Sequence, residues 1–248
     1  MSDEGPPPTP SKRLRAKALE EQGIEQGIEF DSALPCMRCF HAALTAASAI
    51  IATSQESPID VPTFSCKSPY INSKKCISCE KNSCIRIPVM MNGNFLDIIS
   101  IFKAIDKMLK EGAGRFRDAH KLGIVKALIK LGQRFEVLVN NHMGAHKLLL
   151  PATLAAPYKD AYNSKVIDLV ARSSENVLDK GKNGLLRLDI NLPEMQLYNE
   201  ACRFFLGELD HFLKEANISD ESRQRIIGKL PLKKTEVPDL NLSLGPAV

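Results

Sequence analysis

Six cysteines fall close together in this 248-residue chain: Cys36, Cys39, Cys66, Cys76, Cys79 and Cys84. The gaps between them are 2, 26, 9, 2 and 4 residues, so two of the steps are CxxC pairs, Cys36-Met37-Arg38-Cys39 and Cys76-Ile77-Ser78-Cys79. Two residues between thiolates let a tight turn present both sulfurs to one cation. Zinc takes four such ligands in a tetrahedron, with Zn–S distances of about 2.3 Å. Arg38, Lys67, Lys74, Lys75 and Lys81 lie beside the cysteines in sequence, and positive charge favours the deprotonated sulfur. All six cysteines are therefore candidate ligands, for one or two zinc ions. Three other readings stand beside this one. A single zinc can be held by Cys36, Cys39, Cys76 and Cys79, with Cys66 and Cys84 idle. A redox CxxC needs a strand–helix–strand setting that the flanking sequence lacks. Ordinary buried cysteines are the last. The seventh, Cys202, sits on the apolar side of a predicted helix and reads as a core residue.

The remaining chemistry-bearing patterns are incomplete. His142-Met143-Gly144-Ala145-His146 has the histidine spacing of a zinc-protease helix, with Met143 where the general-base glutamate belongs. Both histidines read as surface or packing residues. Gly112-Ala113-Gly114-Arg115-Phe116-Arg117 starts like a dinucleotide loop, but it follows a helical pattern and ends in arginine. No GxxxxGK[ST] or G-x-S-x-G occurs, and the acidic residues are scattered. The expectation is a protein without catalytic activity. An enzyme with an unrecognised site in the helical domain is the alternative. Leu240-Asn241-Leu242-Ser243-Leu244 resembles a short LxLxL repression motif of plant regulators, or an apolar tail that docks on the bundle.

The elements that must position the cysteines are mostly helical. Residues 1–35 read as a disordered tail followed by a polar helix over 12–29. Residues 36–92 form a cysteine-rich zinc module with one alanine-rich helix, Phe40 to Thr53. With four prolines and few large apolar groups, such a segment is marginal without a staple. Beyond Gly93, apolar residues recur at three- and four-residue steps. Phe95, Ile98, Ile99, Phe102, Ile105 and Leu109 mark one helix, and Asp118 to about Asn141 a second. A third follows Pro157, a fourth runs from Pro193 to about Ala216, and a short fifth starts at Asp220. Leu185 to Ile190 is the one strand candidate. The fold class is mainly α: a small cysteine-rich zinc module followed by an α-helical bundle over 93–232, then a flexible tail, 233–248.

Composition narrows the partners. Net charge is +4, with aromatics at 6% and no tryptophan, which leaves little for a base-stacking platform. Residues 1–35 carry four basic and seven acidic side chains, residues 36–93 six and three, and the rest twenty-three and nineteen. No segment is a strongly basic stripe. No apolar run approaches the roughly 20 residues needed to cross a bilayer, so no membrane is expected. The opening Met1-Ser2-Asp3-Glu4-Gly5 lacks an apolar signal region. The expected location is intracellular, where thiols stay reduced. Lys12-Arg13-Leu14-Arg15 reads either as a nuclear-import signal or as a solvated helix start.

The order CxxC, Cys, CxxC, Cys resembles the fungal binuclear zinc cluster, over about 50 residues. It is also similar to the cysteine-rich segment of many filamentous-fungal proteins, through Leu34-Pro35-Cys36 and the closing stretch Cys76 to Pro88. The resemblance implies two zinc ions, with Cys36 and Cys76 each bridging both. Cys39 and Cys66 would complete one ion, and Cys79 and Cys84 the other. Cys66-Lys67-Ser68-Pro69 matches the family's proline-bearing middle loop. The family has six residues, rich in Arg and Lys, between its second and third cysteines, and they form the helix that enters the DNA major groove. Here that gap is Phe40 to Ser65, with no Lys or Arg and with Glu56 and Asp60 instead. Phosphate neutralisation and guanine reading both need those cations. The expected function is therefore a non-catalytic zinc-binding regulatory or interaction protein, with a protein partner or self-association. A DNA-binding transcription regulator of the binuclear type is the alternative.

Overall fold

Helices α1 (Met37–Thr53), α2 (Asn92–Glu111), α3 (Asp118–Ala145), α4 (Ala152–Ser173), α5 (Gln196–Glu215) and α6 (Asp220–Gly228) follow one another along the chain. The computed structural model describes residues 35–53, 60–64, 66, 76, 79, 84–112, 114–173 and 186–232. Among these residues the protein is helical, with no strand. The polar helix expected over 12–29, the basic cluster 12–15, most of the proline-bearing loop and the tail 233–248 lie outside them.

The apolar spacing explains the packing. In α2 the residues Phe95, Ile98, Ile101, Phe102 and Ile105 recur on one face, and each is at most 1% exposed. Helix α3 is the hub, with α1, α2 and α5 laid against it and α6 closing on α5. Its sequence suits that position, because Ile124, Val125, Leu128, Leu131, Phe135 and Val139 leave it buried on more than one side. Five phenylalanines, Phe40, Phe95, Phe102, Phe135 and Phe205, are the largest fully buried side chains. Phe135 stacks on Phe95 at 5.6 Å and meets Phe40 and Tyr198 edge-on at 6.1 and 5.6 Å. Three helices and the cysteine-flanking helix α1 thus share one core.

Two helix ends explain why glycine is not needed there. Lys147 (φ 53°) and Asn217 (φ 56°) adopt the left-handed conformation just past α3 and α5. The N–H of Leu148 then donates to Met143 O at 2.8 Å, and that of Ile218 to Leu213 O at 3.0 Å. Each closes the last turn by a six-to-one bond.

Two expectations are corrected. Helix α4 begins at Ala152, ahead of Pro157, which lies inside it. Proline removes one ladder bond there and its ring crowds the carbonyl of Thr153, a cost confined to the first two turns of the helix. The expected strand at Leu185–Ile190 is instead an extended segment, over its described residues, docked on the first turn of α2. Gly93 N donates to Leu186 O at 2.8 Å, and Leu188 N to Asn94 Oδ1 at 2.9 Å. Arg187 grips Asp97 with both Nε (2.7 Å) and Nη2 (2.8 Å). The first amides of a helix have no partner in the helix itself, and this segment supplies one without needing a second strand. Gly93 makes the approach possible, since a Cβ there would come within 2.8 Å of Leu186 O.

Candidate metal centre

Cys36 immediately precedes α1, and Cys39 lies in its first turn. The Cys39 N–H points at Cys36 Sγ (3.5 Å), so the sulfur takes the place of a helix cap. The other side of the centre comes from a later stretch. The Cys76 N–H donates to Cys84 Sγ at 3.1 Å, and the Cys79 N–H turns back to Cys76 O at 3.1 Å. Met37 N donates to Ile85 O at 2.9 Å, which joins the start of α1 to the residue after Cys84.

All six sulfurs converge. Cys36 Sγ lies 3.5 Å from Cys79 Sγ, and Cys39 Sγ lies 3.5 Å from Cys76 Sγ. Cys36, Cys39, Cys76 and Cys79 are buried, and Cys66 and Cys84 pack against them half-buried. None of the seven cysteines is in a disulfide. The sulfurs fall into two groups of four, Cys36–Cys39–Cys66–Cys76 and Cys36–Cys76–Cys79–Cys84, and within each group they lie within 4.8 Å of one another. Each group can hold a metal ion. Cys36 and Cys76 belong to both, and they are the pair that the resemblance to the fungal cluster makes bridging. Four sulfurs around one point is the donor set that suits zinc.

The electrostatics explain what a cation would change. Burial pushes the Cys66 thiol up to about 12, and neighbouring sulfurs add to it. Burial also drives Cys39, Cys79 and Cys84 upward, reinforced by hydrogen bonds and charge from the neighbouring sulfurs. Burial works in the same direction on Cys76, but the hydrogen bonds from Cys39, Cys66, Cys79 and Cys84 outweigh it and bring that thiol down to about 7. Without a cation, burial therefore keeps Cys39, Cys66, Cys79 and Cys84 protonated at neutral pH. A divalent cation reverses this, because metal-bound sulfurs must be deprotonated.

A pH prediction follows with a definite sign. At pH 7 the raised thiols of Cys39, Cys66, Cys79 and Cys84 carry protons in the metal-free chain, so zinc loading expels them and affinity falls as pH falls. Calorimetric titration in buffers of different ionisation heat should show release of at least four protons per chain. A release near zero would mean that the thiols are not the ligands.

The other singled-out residues do different work. His41 Nδ1 pairs with Glu136 Oε1 at 3.1 Å and does not belong to either group. His142 is 1% exposed. Its Nδ1 meets Glu194 Oε1 and its Nε2 the Tyr162 hydroxyl, both at 3.1 Å, and Met90 N donates to that hydroxyl at 3.4 Å. The arrangement ties α3, α4 and two 3-10 turns, Val89–Met91 and Pro193–Met195. Burial holds the Tyr162 hydroxyl up at about 12. Burial also depresses His146, helped by His142 and Lys165 nearby. Cys202 is half-buried on α5, and burial pushes its thiol up to about 12. The sequence carried no sign of the Glu194 or Tyr162 contacts, because these residues lie 52 and 20 positions from His142.

No helix among the described residues is long and apolar enough to cross a membrane. No protein-family model matches the chain, and no curated protein or solved structure matches it either.

Proposed function

We propose that this chain is a non-catalytic, intracellular zinc protein in which six thiolates hold two structural ions, and that it works by binding a protein partner or a second copy of itself. The observation that carries the reading is the sharing of Cys36 and Cys76 between the two sulfur groups. Six donors fill two tetrahedra only if two of them are counted twice, and all six are used. A structural rather than catalytic role follows from the same arithmetic, because a catalytic zinc keeps one position open for water or substrate.

The shared pair also favours a second reading, a DNA-binding regulator of the fungal binuclear type. In chain order α1 stands where that family carries its reading helix. Yet Arg38 is the one arginine or lysine in α1, and Phe40, Leu44 and Ala47 are turned into the core. A helix so placed offers few cations to phosphate. Mobility-shift titration of the zinc-loaded full chain against duplex DNA separates the two. The expected result is no salt-sensitive complex. A tight complex that weakens steeply with salt would put the DNA reading first.

A further inference from the structure

Helix α1 is held to the rest of the protein by two ties of different chemistry. The first is at its N-terminus, where Cys36 and Cys39 enter the sulfur centre and Met37 N bonds Ile85 O. The second is an apolar seat along α2 and α3. Phe40 lies edge-on to Phe95 (5.2 Å), Phe102 (6.3 Å) and Phe135 (6.1 Å). One turn on, Leu44 fills the notch left by Gly132, where an added Cβ would come within 2.9 Å of Leu44 Cδ2 and 3.2 Å of Phe102 Cζ. Phe64 and Val61, between Cys39 and Cys66, complete the same cluster.

Little else holds the helix. Its polar links to α3 are His41 to Glu136 at 3.1 Å and Gln133 to Ser48 at 3.3 Å, both exposed. From Phe40 to Thr53 it has no Lys, Arg, Asp or Glu, so no charged i,i+4 pair supports it. A helix of this length draws its stability from what it packs on. By contrast α2, α3 and α5 contribute Ile98, Ile101, Ile105, Ile124, Leu128 and Leu209 to the core, each at most 1% exposed.

We propose that α1 is a metal-gated cover: occupancy of the sulfur centre sets whether this helix stays on the aromatic seat of Phe95, Phe102 and Phe135 or leaves it exposed. The inference rests on the metal reading above. With cations in place, Cys36 and Cys39 are bonded through them to Cys66, Cys76, Cys79 and Cys84, and the first turn of α1 cannot lift without breaking those bonds. When the cations are removed, one backbone hydrogen bond and thiol contacts remain at that end. The apolar side chains Met37, Phe40, Leu44, Ala47 and Ile51 must then hold the helix nearly alone. Local opening of such a unit, with the remainder intact, is how marginally held elements behave.

Hydrogen exchange of the full chain, read by mass spectrometry beside elemental analysis of the same samples, tests this. Chelation should speed exchange in residues 40–53 on the order of 100-fold, while the centres of α3 and α5 keep their protection. A dye that fluoresces on apolar surface should bind at the same time. The variant Leu44→Asp keeps all six cysteines. Loaded with metal it should keep the first turn of α1 in place, and on chelation it should expose α1 and bind the dye more than the unchanged chain does. The proposal is overturned if metal leaves and the α1 amides stay protected, or if α1, α3 and α5 lose protection together. It is equally overturned if chelated Leu44→Asp leaves α1 protected. In these cases the metal reading survives, since the samples still load zinc. A chain that never holds metal sinks the earlier reading, and this one with it.

Discussion

Purified Cys36→Ser and Cys76→Ser chains are expected to hold no stoichiometric zinc, whereas Cys39→Ser and Cys84→Ser each keep about one ion. The difference comes from which groups share a sulfur. Cys36 and Cys76 stand in both groups, while Cys39 and Cys84 stand in one each. Serine preserves the shape of the side chain but offers a hydroxyl that stays protonated at neutral pH. Structural zinc is worth roughly 10–16 kcal/mol of apparent binding energy, so even a partial loss outweighs the contribution of any single buried side chain in the stretch. If a single ion were held by Cys36, Cys39, Cys76 and Cys79, Cys84→Ser would be silent and Cys39→Ser would lose everything. Metal content of the four variants therefore separates the two-ion arrangement from the one-ion arrangement.

Replacing Phe135 with alanine should be the most damaging single change in the helical core. The ring is fully buried and touches aromatic side chains of α1, α2 and α5 at once, namely Phe40, Phe95 and Tyr198. Truncating a buried phenylalanine costs about 3–5 kcal/mol, because the cavity between rigid helices closes only in part. Domains of this kind are stable by about 5–15 kcal/mol, so the change removes roughly a fifth of the total at the least. Phe204, half exposed on α5 with Lys130 over its ring at 5.6 Å, gives the contrast. Phe204→Ala should shift stability by no more than about 0.5 kcal/mol. Denaturant midpoints of the two variants check the pair. Equal midpoints would mean that Phe135 is not at the centre of the core.

The helices were legible where one face is apolar and regular. In α2, Phe95, Ile98, Phe102 and Ile105 repeat at helical steps and are buried in the structure. In α5, Phe205 and Leu209 do the same. The start of α4 was not legible, because a proline marks a helix start more often than it lies inside one. Leu185–Ile190 reads as a strand candidate, and its described residues are not one. Its partner is the first turn of α2, some 90 residues away in sequence, which no local pattern records. The cysteine spacing named the six sulfurs, and the structure brings all six into one cluster. What spacing could not indicate is that α1 serves the bundle as well as the centre. Its apolar face is Met37, Phe40, Leu44, Ala47 and Ile51, set among small and polar residues, and the aromatic seat it fits is built from residues 95 to 135. Gly132 carried no signal of its own until the close approach of Leu44 was seen.

Zinc-edge X-ray absorption on the purified full chain is the most direct test of the central claim. A first shell of sulfur alone, four per ion at about 2.3 Å, with a second zinc scattering from just beyond it, is the expected spectrum. Nitrogen or oxygen in the first shell, an isolated ion, or no zinc to excite would each contradict two cations sharing Cys36 and Cys76.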